Sequence, residues 1–208
     1  MSPELRAAHV ADALDAMGLR HQCISRLTHS LPGRTVVGAA FTMACAPPGD
    51  EVTERYAGLL AAIDAVGQGD VVVVASGPSD AAAVWGELLS TACLAHGAVG
   101  VVTDGLVRDS VQTAALGFPV FARGTSPLDI HGRLEVVAHG SEVTVAGVAV
   151  APGDTIVADS DGVVVVPRTH AAEALERAAA KALGEGDFRA AVTDGTSATE
   201  AFRRFDVL

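Results

Sequence analysis

Apolar and polar positions alternate along this chain in two rhythms, one helical and one extended. Val10, Leu14 and Met17 recur at helical spacing, which predicts a first helix capped by Ser2, with Pro3 at its first position and an end near Gly18. Between Leu27 and Pro48 the text alternates loop and strand: LPGR as a turn, TVVGAAFTMAC as a strand with a glycine irregularity, APPGD as a tight exit. From Glu51, the positions Val52, Tyr56, Leu59, Leu60, Ile63 and Val66 form one apolar helical face. Gln68-Gly69-Asp70 then turns into Val71-Val72-Val73-Val74, a run without polar alternation that belongs in a strand covered on both faces.

Two more units follow with the same timing. The pattern predicts a helix from about Gly86 to His96, a strand from Val99 to Thr103, a helix from about Asp109 to Leu116, and a strand from Pro119 to Ala122. This β-α-β-α-β run makes a parallel α/β core. After Pro127 the texture changes to LEVVAHG, EVTVAG, VAVAPGD, TIVADSDG and VVVVP, short strands with turns between them and no room for helices. These predict antiparallel hairpins packed as a second β layer. A last, alanine-rich helix runs from about His170 to Leu183, and a glycine-broken tail ends in ATEAFRRFDVL.

The length of 208 residues suits one α/β domain, read here as a single unit over 1–208. Half the residues are hydrophobic and 19% are charged, which describes a compact globule that also has apolar surface to bury against copies of itself. The net charge of -11 argues against a nucleic-acid partner, because phosphate binding needs a basic patch. Cys23, Cys45 and Cys93 are far apart and set in apolar text, so they read as buried free thiols of a reducing compartment. No signal-peptide pattern opens the chain and no apolar run approaches a membrane span, so the expectation is a cytoplasmic protein without a membrane partner.

The stretch WGELLSTACLAHGAVGVVTDGLVRD, Trp85 to Asp109, carries the candidate chemistry. Ligands of an open parallel sheet bind beyond the carboxyl ends of its strands. If the two strands that lead to Gly86-Glu87 and to Arg108-Asp109 are neighbours, the two charged clusters meet at one edge. The unpaired amides at the start of the helix at Gly86-Glu87-Leu88-Leu89 make an anion site, and the planar fork of Arg108 can hold a carboxylate from the other side. Asp109 is then free to bind a hard divalent cation together with waters and substrate oxygens. The assembly suits an enzyme that makes an enolate of a 2-oxo acid. Each part also has a plainer account: Arg-Asp at a helix start is more often a cap and surface ion pair, Glu87 is an acid well placed on a helix N-terminus, and Trp85 is packing. Lys181 is the single lysine and lies in the last helix, away from the strand ends, so carbonyl chemistry here has to be metal-assisted rather than imine-based. Asp159-Ser160-Asp161-Gly162 lacks the later ligands of a calcium loop and reads as a hairpin turn.

Glu87, then twenty residues, then Arg108-Asp109 resembles the acid-x20-Arg-Asp pattern of the 4-hydroxy-4-methyl-2-oxoglutarate aldolase family, which includes the regulator of ribonuclease activity A proteins. VADALDAMG, GFPVFARGTSP and PGDTIVADSDGVVVVP extend the likeness over nearly the whole chain. The resemblance implies a β/β/α swivelling-type, phosphohistidine-domain-like fold, assembled as a trimer or a dimer of trimers. It implies a Mg²⁺- or Mn²⁺-dependent pyruvate aldolase that cleaves 4-hydroxy-2-oxo acids and decarboxylates oxaloacetate. By position, Asp109 would hold the metal through itself and ordered waters, Arg108 would bind the pyruvyl oxygens and steady the enolate, and Gly86 with the backbone of Leu88 and Leu89 would grip the carboxylate. Glu87 stands where the aldolases usually have Asp and would orient metal-bound water or relay a proton. Glu185 aligns with an acid that a neighbouring subunit contributes. The alternative is a non-catalytic regulator that binds a basic segment of a ribonuclease through its acidic surface; that branch generally lacks an acid at the position of Glu87.

Overall fold

The computed structural model describes residues 5–49 and 54–207. The expected cap Ser2, with Pro3, and the first positions of the second helix, Glu51 and Val52, lie outside the described residues. In chain order the elements are α1 (Ala7–Ala16), β1 (Cys23–Ile24), β2 (Thr28–His29), β3 (Val36–Ala46), α2 (Ala57–Asp64), β4 (Asp70–Ala75), β5 (Ala83–Trp85), α3 (Glu87–Ala95), β6 (Gly100–Thr103), β7 (Leu106–Val107) and α4 (Ser110–Ala115). They continue with β8 (Val120–Ala122), β9 (Gly124–Thr125), β10 (Glu135–His139), β11 (Val143–Val145), β12 (Val148–Val150), β13 (Thr155–Asp159), β14 (Gly162–Val166), α5 (Ala171–Thr193) and α6 (Ala198–Phe205).

Nine strands form one curled, mixed sheet in the order β1-β14-β13-β3-β4-β6-β8-β2, with β10 also on β3. Its centre, β3-β4-β6-β8, is parallel, as the valine runs predict. In β4, Val71 and Val73 enter one core while Val72 and Val74 enter another, so both faces are covered and no polar alternation is left to see. Helices α2 and α3 lie over the core that takes Val72 and Val74, where Leu59, Ile63 and Cys93 pack on these two valines and on Val101.

The strands after Pro127 depart from the expected second layer. Strand β3 is long enough to pair β13 through Val36–Ala39 and β10 through Met43–Ala46, while its other edge pairs β4. Strands β13, β14 and β1 therefore extend the main sheet instead of stacking on it. Only the hairpin β11–β12 forms a separate layer, with Val143, Val145, Val148 and Val150 packed on Val71, Val73 and Ile156. The alternate residues of the two added strands, Val157, Val164 and Val166, face Val10, Leu14, Ala174 and Ala178 of α1 and α5. The turn at Asp159–Gly162 joins β13 to β14, as expected, and the Asp159 carboxylate accepts the backbone N–H groups of Ala7 and Asp161.

Two further corrections concern the ends of elements. Helix α5 runs on to Thr193, through Gly184 and Gly186, where the sequence suggested a stop near Leu183. Each glycine costs about 1 kcal/mol against alanine in a helix, which the alanine-rich remainder and the contact with α6 outweigh. The tail then forms α6, started by Ser197, whose hydroxyl accepts the backbone N–H of Glu200. Cys93 is buried, but Cys45 is only partly covered and Cys23 is exposed, which corrects the reading of three buried thiols. Among the described residues no helix is long and apolar enough to cross a membrane.

Candidate active site

Three connecting segments, SGPSD-AAAVW, DGLV and ARGT, each hold a short strand. The chain leaves the main sheet after β4, β6 and β8 and re-forms as β5, β7 and β9, a small parallel sheet in the order β5-β7-β9. The candidate residues sit at the carboxyl edge of this second sheet. Gly86 follows β5, Arg108-Asp109 follows β7, and Asp129 lies in the loop after β9. The Arg108 backbone N–H donates to the Trp85 carbonyl at 2.9 Å, which fixes the two turns side by side. Beneath them Trp85 is fully buried, donates Nε1–H to Ser90 Oγ at 2.9 Å and stacks on Phe118, so its expected packing role holds.

Asp109 starts α4 from a left-handed conformation, φ 54° and ψ 36°, and its side chain makes no cap bond. The carboxylate is thereby turned away from its own helix, which corrects the cap reading. Its Oδ2 lies 3.5 Å from Arg108 Nε and 2.9 Å from where a Cβ on Gly86 would stand. Gly86 has no side chain to cap α3, so the first amides of that helix, including those of Leu88 and Leu89, have no partner from it.

A pocket of about 350 Å³ opens over these groups, lined by Gly86, Leu88, Leu89, Arg108 and Asp109 on one side and by Arg55, Tyr56, Leu59, Asp129 and Ile130 on the other. A second cleft of about 330 Å³, bounded by Thr125, Ser126 and Pro127, shares Arg108 and Asp109. The charged pair thus stands between two open spaces.

Two of the sequence-derived acids lie elsewhere in this chain. Glu87 does not line the pocket, and its Oε1 accepts a hydrogen bond from Thr91 Oγ1 of the same helix at 2.9 Å. Glu185 on α5 pairs with Arg6 at 3.0 Å and His9 at 3.1 Å, both on the amino-terminal segment. Lys181 pairs with Asp12 of α1 at 2.8 Å and does not line the pocket.

Residues not singled out in the sequence complete the wall. Asp129 Oδ2 lies 3.5 Å from Arg108 Nη1 and accepts the Tyr56 hydroxyl at 2.8 Å; Oδ1 accepts the His131 backbone N–H at 3.0 Å. The His131 amide, then the Tyr56 hydroxyl and the Arg108 guanidinium, hold the Asp129 carboxyl below its ordinary range. Tyr56 was counted only as an apolar helix position, and Asp129 had as its one signal a place in the loop after GTSP.

Asp109 is a donor of the kind a hard divalent cation takes. Asp109 offers a partly exposed carboxylate, and the missing side chain of Gly86 leaves the space into which that carboxylate reaches. Among the described residues no group of three or more His, Cys, Asp and Glu side chains is placed to hold a metal, so an ion at Asp109 would rely on water and substrate oxygens for its other positions.

The sequence profile of the RraA-like family, Aldolase/RraA, matches residues 7–165. The chain belongs to the RraA-like family. Among its RraA-like relatives is a Halalkalibacterium halodurans protein named "Putative 4-hydroxy-4-methyl-2-oxoglutarate aldolase", 30% identical, over 93% of this chain and 87% of that one. Protein DlpA of Legionella pneumophila is 29% identical over 94% of this chain, which spans only 31% of DlpA. Among solved structures, an uncharacterized protein from Pseudomonas syringae pv. tomato superposes with a TM-score of 0.88 at 30% identity, covering 97% of this chain and 90% of that one. Streptomyces coelicolor RraAS2, described as an unusual member of the RNase ES inhibitor RraA protein family, superposes with a TM-score of 0.76 at 32% identity, covering 84% and 86% of the two chains.

Proposed function

We propose that this RraA-like chain is a divalent-metal-dependent carbon–carbon lyase: it cleaves 4-hydroxy-2-oxo acids such as 4-hydroxy-4-methyl-2-oxoglutarate, and decarboxylates oxaloacetate, through a pyruvate enolate. The observation that carries the reading is the contact of Arg108 and Asp109 with Gly86, at the open amino terminus of α3, on the floor of one pocket. The aldolase naming of its relatives supports the same class.

The substrate carboxylate docks on the Leu88 and Leu89 amides and the α3 dipole. Arg108 donates N–H groups to the pyruvyl oxygens, and its charge opposes the negative charge that develops on the 2-oxo oxygen as the C3–C4 bond breaks. Asp109 would hold the cation, Mg²⁺ or Mn²⁺, which when bound supplies Lewis-acid polarisation of the 2-oxo group. A base removes the 4-hydroxyl proton as the bond pair passes to C3, and C3 of the enolate is then protonated to give pyruvate. Glu87 is assigned this proton traffic, for which its carboxylate has to leave Thr91. Glu185 is assigned as an acid supplied to a neighbouring subunit's site, in a homotrimer or dimer of trimers of a cytoplasmic, swivelling-type fold.

The test is pyruvate release from oxaloacetate in a coupled assay with Mg²⁺ or Mn²⁺ present. Arg108→Ala and Asp109→Ala are expected to abolish it, and full activity of Asp109→Ala in EDTA overturns the proposal. A second reading, a ribonuclease regulator, is favoured by the likeness to RraAS2 and by the net charge of -11. Capture of a ribonuclease scaffold by a chain that releases no pyruvate would select it.

A further inference from the structure

The chain Arg55–Tyr56–Asp129–Arg108 runs along one wall of the pocket, and its donors and acceptors are matched in direction throughout. Arg55 Nη2 donates to the Tyr56 hydroxyl at 2.9 Å, the hydroxyl donates to Asp129 Oδ2 at 2.8 Å, and that same oxygen faces Arg108 Nη1 at 3.5 Å. Further contacts hold Tyr56 and Asp129 in place. The Arg55 guanidinium lies over the Tyr56 ring, 4.7 Å from its centroid, and the His131 ring meets Tyr56 edge-on at 5.6 Å. The His131 amide fixes the other Asp129 oxygen. Tyr56 occupies the left-handed region, φ 62°, at the start of α2, a conformation costly for an aromatic residue that persists only where its surroundings impose it.

We infer that Asp129 and Tyr56 are positioning residues that aim the Arg108 guanidinium at the substrate's pyruvyl oxygens. This rests on the lyase reading above. Arg108 has a carboxylate on each flank, Asp109 toward Nε and Asp129 toward Nη1, both at 3.5 Å. That is longer than the 2.7–2.9 Å of a closed charge-assisted hydrogen bond. The guanidinium is therefore centred by two opposing attractions without being consumed by either, and its fork stays free to close on a planar ligand. Asp109 alone would draw the fork toward the metal-binding carboxylate. Asp129, fixed by the tyrosine hydroxyl and a backbone amide, supplies the counter-pull.

The experiment compares wild type with Asp129→Asn, Asp129→Glu and Tyr56→Phe, with Mg²⁺ present, and reads two quantities. The first is kcat and KM for oxaloacetate; Asp129→Asn is expected to lower kcat/KM about tenfold or more, as loss of an orienting partner does, with Asp129→Glu restoring part of it and Tyr56→Phe intermediate. The second needs no turnover: the Arg108 Nε–H order parameter from nitrogen-15 relaxation of the Mg²⁺-loaded protein, expected to fall in Asp129→Asn and Tyr56→Phe while backbone order at Val107 and Ser110 is unchanged. Unaltered arginine order together with kcat/KM within twofold of wild type overturns the inference and leaves the lyase reading intact. A wild type that releases no pyruvate, with arginine order still dependent on Asp129, overturns the lyase reading and with it the assignment to pyruvyl oxygens. A loss of kcat/KM with unaltered arginine order overturns the positioning role, since the effect then does not pass through Arg108.

Discussion

Gly86 and Asp109 are packed so closely that a methyl group on Gly86 would stand 2.9 Å from Asp109 Oδ2 and 3.1 Å from Arg108 Cγ. The carboxylate proposed to hold the metal therefore occupies the place where residue 86 would otherwise carry a side chain.

Gly86→Ala is expected to separate folding from activity. The backbone at Gly86 is extended, φ -167° and ψ -170°, a conformation open to alanine. The clash falls on side-chain atoms of Asp109 and Arg108, which can swing aside, so the melting temperature should stay within about 4 °C of wild type, equivalent to roughly 1 kcal/mol. The same swing moves both groups off their present positions, and a displacement of about 1 Å can cost about 100-fold in rate. Pyruvate release and thermal melting are measured on one preparation. Turnover within twofold of wild type would remove Asp109 and Arg108 from the reacting centre.

His29 is expected to make the fold sensitive to acid. Its ring stacks on Phe121 with centroids 4.2 Å apart, and among the described residues neither shielded ring nitrogen has a hydrogen-bond partner. Burial lowers its pKa below the ordinary 6.5, against a smaller opposite pull from Asp159. The unfolded chain consequently binds more protons than the folded one below that value, so this contribution to stability is complete above about pH 6.5 and is lost as pH falls toward the folded pKa. His29→Phe keeps the stack and removes the proton. Melting temperatures on either side of pH 6.5 should diverge in wild type more than in the variant. Equal divergence in both would place the acid sensitivity elsewhere.

The main sheet was legible because β4 and β6 are covered on both faces, which writes apolar runs into Val71–Val74 and Val99–Val102. The small sheet was hidden. Strands β7 and β9 have two residues each, too few for any periodicity, and they follow the main strands after one or two residues. The meeting of Gly86 with Arg108-Asp109 was legible all the same, because parallel neighbours carry their following loops to one edge. The Arg108–Asp129 contact was not, since it joins the turn after β7 to the loop after β9 and depends on a sheet with no sequence signature. Helix α6 could have been read: Ser197 and Glu200 stand in the S-x-x-E spacing of a capping box.

Thiol chemistry should distinguish the cysteines. Burial pushes Cys93 up to about 12 and, with Asp104, Cys45 up to about 12, so neither presents thiolate near neutral pH. Cys23 is exposed, though burial of its surroundings and then Asp15 and Asp12 raise its pKa as well. Mass spectrometry after alkylation of the native chain should show one slow modification, at Cys23, and all three only in denaturant. Early labelling of Cys93 would contradict the packed interface of α3 with the main sheet.

Glu87 poses the sharpest choice between a catalytic and a structural acid. In the structure it sits at the first position of α3 and is tied to Thr91 at 2.9 Å, an arrangement that by itself serves the helix. A proton relay requires the carboxylate to exchange Thr91 for the pocket. Thr91→Ala releases it and is expected to leave turnover unchanged or raise it, whereas Glu87→Gln removes the carboxylate that would carry the proton and should lower kcat about 100-fold or more, the usual scale of general acid–base assistance. A purely structural acid gives a different pattern: Glu87→Gln loses roughly 0.3–1 kcal/mol of helix stabilisation, and neither variant changes kcat appreciably. That outcome would leave the protonation of the enolate to a group outside α3, with Glu185 of a neighbouring subunit the next residue to replace.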